Sequence, residues 1–145
     1  MTETMTETRL VFLPRPENIY PAWERLTPLF QDAINKAVHG EFTVANLLEL
    51  SLSGSGLLAY IEDDKEILMA LVMEIKHYPD MSVLNVIVMA GQNMKELFSR
   101  HSPAIADFAR SCGVKYFEAS TSRGMAKMLQ ECGWSHVYET VRFKL

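Results

Sequence analysis

Apolar and polar positions change their period several times along this chain. "RLVFLP", Arg9 to Pro14, reads as a short strand stopped by proline. From Asn18 to Ala37 the apolar residues Ile19, Trp23, Leu26, Phe30, Ile34 and Ala37 recur every three or four places. That spacing predicts an amphipathic helix, with Pro21 in its first turn, a bend at Pro28 and a stop at Gly40. Thr43 is a good N-cap for a second helix through Val44, Leu47, Leu48 and Leu52, ended by "SGSG". "LLAYIE" (57–62) and "EILMALVMEI" (66–75) flank the turn "DDK" and predict a hairpin. After a second turn, "KHYPD", comes "MSVLNVIVMA" (81–90), apolar on both faces near its end and so expected at the centre of a sheet covered on two sides.

A third helix is expected from about Asn93. Met94, Leu97, Phe98, His101, Ile105, Phe108, Ala109 and Cys112 share a face across Pro103, so one continuous, kinked helix is predicted. A strand follows from Val114 to about Ser120, then a short helix from Arg123 closed by Gly133. The last residues alternate: Val137, Glu139, Val141, Phe143 and Leu145 on one side, His136, Tyr138, Thr140, Arg142 and Lys144 on the other. This predicts a long final strand. The order β-α-α-β-β-β-α-β-α-β implies an α/β (α+β) fold with a mixed, mostly antiparallel sheet flanked by helices.

With 145 residues, 48% of them hydrophobic, one domain is expected, and a chain of this size hides roughly 70% of its unfolded surface. Residues 1–8, "MTETMTET", offer nothing to bury and read as a flexible leader before a single domain, residues 9–145. The net charge of −4 and the lack of any basic run argue against nucleic acid as a partner. No apolar run approaches the ~20 residues of a membrane span, and the polar start is no signal peptide. Cys112 and Cys132 each precede a glycine at a predicted helix end, the place of a small half-apolar residue rather than a zinc ligand. The four histidines are scattered and suggest no relay.

"GEFTVANL", "LMALVMEI", "MAGQNMKELF", "ARSCGV" and "SRGMAKMLQECGWSHVYETVRFKL" resemble members of the GNAT N-acetyltransferase superfamily, and within it a set of bacteriophage-encoded GNAT-like proteins that includes internal virion proteins. The resemblance spans about residues 9–145. It implies the GNAT fold and an acetyl-CoA site at the junction after the central strand, at Val88, Met89, Ala90, Gly91, Gln92, Asn93 and Met94. Such a cradle works by pointing successive backbone N–H groups and a helix N-terminus at pyrophosphate. The family pattern Gln/Arg-x-x-Gly-x-Gly/Ala is reduced here. Gly91 is kept, no second glycine lies two residues on, and Val88 stands at the Gln/Arg place. Gly91 then reads equally as the turn that any strand-to-helix junction needs.

The family also uses a tyrosine as the acid for the leaving thiolate; the corresponding position holds Leu129, with Tyr138 as a substitute. The base for the incoming amine falls to Glu118, with Glu74 as a second candidate, each equally readable as a solvated strand residue. Asn85, an amide within an apolar strand, needs partners. "STSR" (120–123) reads as a helix cap or an anion site.

Three functions follow as expectations. The first is a phage protein with a degenerate acetyl-CoA motif, acting by binding or assembly with protein partners or virion components or as a homo-oligomer, in the host cytoplasm or within the virion, with the exposed edge of the last strand as a surface for pairing. The alternative is an acetyl-CoA-dependent N-acetyltransferase acting on a small amine or a host protein. A third is an effector that inhibits a host protein.

Overall fold

The computed structural model describes residues 7–145. Most of the expected leader lies outside this range; at its end Thr8 bonds His101 (2.8 Å) and Arg100 (3.2 Å). The elements are β1 (Arg9–Leu13), α1 (Pro16–Ala37), α2 (Val44–Ser53), β2 (Leu57–Glu62), β3 (Ile67–His77), β4 (Ser82–Gly91), α3 (Met94–Ser111), β5 (Tyr116–Ala119) and α4 (Arg123–Glu131). One sheet holds all five strands in the order β1-β2-β3-β4-β5. The first three pairings are antiparallel and β4–β5 is parallel. That parallel pair is reached through α3, the crossover such a pair requires.

The sheet is apolar on both faces because each carries two helices. Along β3, Met69, Leu71 and Met73 join Phe98, Ile105 and Leu129 of α3 and α4 in one core. Ala70 and Val72 point the other way and pack with Ile19, Leu26, Phe30 and Leu47 of α1 and α2. β4 is buried on both sides over Val83–Val86, as its continuous apolar run predicts.

Local chemistry sets the helix ends. Pro16 occupies the start of α1, two residues earlier than the apolar period suggests, where a missing N–H costs nothing. Thr43 caps α2 in a reciprocal box: its hydroxyl accepts from the Asn46 N–H, and the Asn46 side chain accepts from the Thr43 N–H at 2.8 Å. Ser122 caps α4 by accepting from the Met125 N–H, so the "STSR" cluster serves the helix. α3 runs unbroken through Pro103. Cys112 and Cys132 are the C-cap residues of α3 and α4, and both are free thiols.

The final strand is the departure. Among the described residues, those after Gly133 enter no ladder, and Val137, Tyr138, Val141, Phe143 and Leu145 stand exposed. Alternation makes a segment competent to pair, but pairing needs a partner edge, and this arm takes another course. Trp134 packs tilted against Phe117 (5.2 Å) and edge-on against Phe98 (5.9 Å). Further on, the Arg142 guanidinium donates to the His39 carbonyl and to Glu41, in the loop between α1 and α2. β5 is also shorter than the apolar pattern suggests, Tyr116–Ala119 only.

Candidate functional site

β4 and β5 part company halfway along β4. Their ladder runs from Val83↔Tyr116 to Val86↔Ala119 and stops, while β4 continues to Gly91. A bulge lies at the same level on the other side of β4: Met73 pairs with Val86 and Val72 with Val88, leaving Ile87 over. A bulge bends its strand and tightens its twist, which turns the second half of β4 away from β5. The result is a wedge whose β4 wall presents backbone N–H and C=O groups that pair with no strand among the described residues.

At the base of the wedge three polar side chains stand in register. Glu74 of β3 lies opposite Asn85 of β4, which lies beside Glu118 of β5. By the alternation of side chains all three face the α1/α2 side. The nine-tenths-buried Asn85 donates its amide to Glu74 at 3.3 Å, which answers the need of an amide in an apolar strand. Tyr78, from the "KHYPD" turn, donates its hydroxyl to Glu118 at 2.6 Å. That bond, followed by partial burial and the Glu118 charge, holds the Tyr78 phenol above its ordinary range. The row opens into a groove of about 1960 Å³ bounded by the α1–α2 loop, the row itself and the C-terminal arm. Opposite the row, Glu41 is held below the usual carboxylate range by backbone N–H bonds, its own and that of His39, helped by the Arg142 charge.

The other end of β4 behaves differently. Gly91 has φ +140°, and a Cβ there would lie 2.3 Å from the Leu68 carbonyl oxygen and 2.8 Å from Met69 Cα. The neighbouring β3 backbone is thus what requires the glycine. The Gln92 N–H donates to the same Leu68 carbonyl at 3.2 Å and is spent within the sheet. Asn93 adopts the left-handed conformation (φ 54°) at the N-cap of α3 without a capping bond, its amide donating instead to Glu96 at 3.1 Å. What remains for an anion is the first turn of α3, whose leading N–H groups have no partner within the helix. A cavity of about 350 Å³ lies here, lined by Thr8, Asp63, Gln92, Asn93, Glu96 and Arg100. Arg100 pairs with Glu96 at 3.2 Å. Among the described residues, a phosphate in this cavity meets the Arg100 cation and the carboxylates of Asp63 and Glu96.

The residues expected to hold a cofactor therefore divide. Val88, Met89 and Ala90 send their side chains into the core and offer the wedge only their backbone. Gly91 and Gln92 are tied to β3, Asn93 and Met94 open α3. Leu129, at the position of the family's acid, is 3% exposed within the α3/α4 core and has no proton to give. Tyr138 is 85% exposed on the arm, along the groove. Of the two expected bases, Glu118 and Glu74 fall in one row. Tyr78 escaped notice because it sits in a turn 40 residues from its partner; the available signal was a polar residue in each of three apolar strands. Among the described residues no His, Cys, Asp or Glu cluster is placed to hold a metal, and no helix is long and apolar enough to cross a membrane.

No protein-family model matches the sequence, and none of the curated proteins matches it. Solved structures do match by shape. A ribosomal-protein-alanine N-acetyltransferase from Brucella melitensis biovar Abortus 2308 superposes with TM-score 0.73 at 10% identity, covering 96% of this chain and 99% of its own. An aminoglycoside N-acetyltransferase in complex with CoA gives 0.72 at 10% identity, over 100% of this chain and 99% of its own. An aminoglycoside acetyltransferase from an uncultured soil metagenomic sample, in complex with trehalose, gives 0.69 at 13% identity, over 95% of each chain. The architecture is thus that of the GNAT acetyltransferases, a mixed α+β fold built on a mostly antiparallel sheet. At these identities the likeness concerns the fold.

Proposed function

We propose that this chain is an acetyl-CoA-dependent N-acetyltransferase acting on an amine that enters the groove beside β5. The observation that carries this reading is the row Glu74–Asn85–Glu118, capped by Tyr78, at the base of the β4/β5 wedge. A structure of like fold holds CoA, and the open backbone of β4 suits an amide-bearing pantetheine arm as a ladder partner. The phosphates would rest on the first turn of α3 with Arg100 beside them. The bound thioester supplies an activated acyl carbon.

An aliphatic amine reaches the groove as an ammonium ion, since its pKa lies near 10. Glu74 and Glu118 attract it, and Glu118 accepts the proton that must leave before nitrogen can attack the acyl carbonyl. The Tyr78 hydroxyl fixes the orientation of the Glu118 carboxylate. Leu129 donates nothing, so the proton for the departing sulfur falls to Tyr138, which the arm carries along the groove.

The virion or assembly role implied by the phage resemblance gains no support from the structures above, all three of them acetyltransferases. Calorimetry and thermal melting with acetyl-CoA test the reading. Binding heat and a raised melting temperature are expected, together with acetyl transfer to amines. Glu118→Gln should keep the acetyl-CoA shift while kcat/KM falls by about 10²–10⁴, the range for a lost general base. Neither heat nor shift at millimolar acetyl-CoA would overturn the reading.

A further inference from the structure

The Asn85 side chain is half used. It lies on β4 between the buried Leu84 and Val86 and is itself 9% exposed, at a place where a β-branched apolar residue would suit the strand better. Its amide NH2 donates to Glu74 at 3.3 Å. A carboxylate only accepts, so this bond fixes how the amide is turned: nitrogen towards β3, oxygen away from it. Among the described residues no hydrogen bond reaches that oxygen, and no fully enclosed side-chain oxygen or nitrogen lacks a partner. The Asn85 oxygen is therefore not sealed in the core. It opens on the groove, which Asn85 lines together with Glu74 and Glu118.

A buried amide oxygen calls for a donor, and the register says what kind. Neighbouring strands lie about 4.8 Å apart, so Glu74 and Glu118 flank Asn85 at one strand spacing on either side. Asn85 donates to one oxygen of Glu74, and Tyr78 to one oxygen of Glu118. Among the described residues no lysine or arginine pairs with either carboxylate. What remains is a row of acceptors with a negative charge at each end. A neutral donor gains little from those charges. An ammonium ion gains from both, and it has more than one N–H to give.

We propose that the Asn85 side-chain oxygen binds the substrate amine directly, accepting one N–H while Glu118 takes the proton of another. This rests on reading the groove as the entry for an amine. When the ammonium gives a proton to the Glu118 carboxylate, the N–H bond breaks, an O–H bond forms and the lone pair stays on nitrogen. The N–H held by Asn85 is a different one, so that bond survives the deprotonation and keeps the nitrogen in place for attack. Glu74 then serves Asn85 by accepting from its NH2 and turning the oxygen outward.

Titration with butylamine, read by heteronuclear NMR and by acetyl transfer, tests it. The Asn85 side-chain NH2 signal, assigned by its loss in Asn85→Leu, should move as butylamine is added. Butyltrimethylammonium carries the charge without an N–H and should bind the parent more weakly than butylamine. This comparison uses the parent alone and does not depend on any variant folding. Asn85→Leu nearly keeps the shape and replaces a buried amide by an apolar group, so it should melt no lower than the parent and keep the acetyl-CoA shift. Its KM or dissociation constant for butylamine should rise about 10–100-fold, the range for one hydrogen bond to a charged group, and the gap to butyltrimethylammonium should narrow.

Glu74→Ala separates direct contact from action through Glu74. With direct contact, Asn85→Leu weakens butylamine by a similar factor in the Glu74→Ala background, because the two losses are then largely independent. Asn85→Leu without effect in that background would make Asn85 a support for Glu74 and overturn the proposal. Unchanged butylamine affinity in Asn85→Leu, or butyltrimethylammonium bound by the parent as tightly as butylamine, overturns it as well. Acetyl-CoA that fails to bind while butylamine still moves the Asn85 signal would defeat the acetyl-transfer reading and leave this amine site standing.

Discussion

The two ends of β4 began alike, as candidate sites on one apolar strand, and the structure separates them. At Asn85 the strand carries a polar side chain in register with carboxylates on both neighbours. At Gly91 it carries a glycine that a resemblance assigns to a phosphate and that packing assigns to β3. The first end is unusual for a buried sheet. The second is fully explained by the sheet itself. A residue type matched to a motif says less about function than a polar group placed where an apolar one would pack better.

Substituting Gly91 tests that contrast most severely. If Gly91 serves the sheet, Gly91→Ala forces a Cβ into the Leu68 carbonyl and holds alanine at φ +140°. Strained backbone and overpacking each cost about 1–3 kcal/mol. A loss of about 3 kcal/mol, or roughly 10 °C in melting temperature for a domain of this size, is expected with or without acetyl-CoA. Normal melting combined with lost acetyl-CoA binding would reverse the assignment and return Gly91 to the phosphate.

How much the sequence revealed follows the same division. Elements governed by local rules were readable: the Thr43 cap, the "DDK" hairpin, and α3 carried through Pro103 by its apolar face. Glu118 and Glu74 were readable as separate candidates, because each is an acid in a strand. Their alignment was not, because register across three strands depends on the bulge at Ile87 and on the α3 crossover, and neither is written in any short window. Tyr78 was hidden for the same reason. The final strand shows the converse failure. Residues 135–145 have the right alternation, but a strand is a relation between two segments, and one sequence read alone supplies only the first.

A milder probe addresses the charge at the α3 end. Glu96 pairs with Arg100 and accepts from Asn93, so a carboxylate stands where the proposed phosphates would sit. Glu96→Gln keeps the shape, removes one repulsion and takes one carboxylate away from Arg100. An exposed charge at close range is worth about 1 kcal/mol, so acetyl-CoA affinity should rise roughly fivefold at low salt and less at high salt. Isothermal titration at two ionic strengths reads this directly. Unchanged affinity at both would place the phosphates away from the first turn of α3. It would leave the wedge standing while dissolving the cradle altogether.

The smallest effect is a change with pH at the same end. His101 bonds Thr8 at 2.8 Å, and burial, with the neighbouring Arg100 charge behind it, lowers its pKa below the ordinary 6.5. The folded chain therefore resists a proton that the unfolded chain accepts. Linkage then requires stability that is complete above about pH 6.5 and declines as pH falls through the depressed folded value. Glu41, Asp63 and Glu131, all shifted downward, lose their contributions only as pH falls through the ordinary carboxylate range, below about pH 5, towards their lower folded values. Denaturant midpoints taken between pH 7.5 and pH 5 thus separate His101 from the carboxylates. The parent should weaken across that window by a fraction of what Gly91→Ala costs, and His101→Gln should flatten the decline while leaving acetyl transfer at pH 7.5 unchanged. An equal decline in both proteins would mean that the Thr8–His101 contact does not hold Thr8 against α3 in solution.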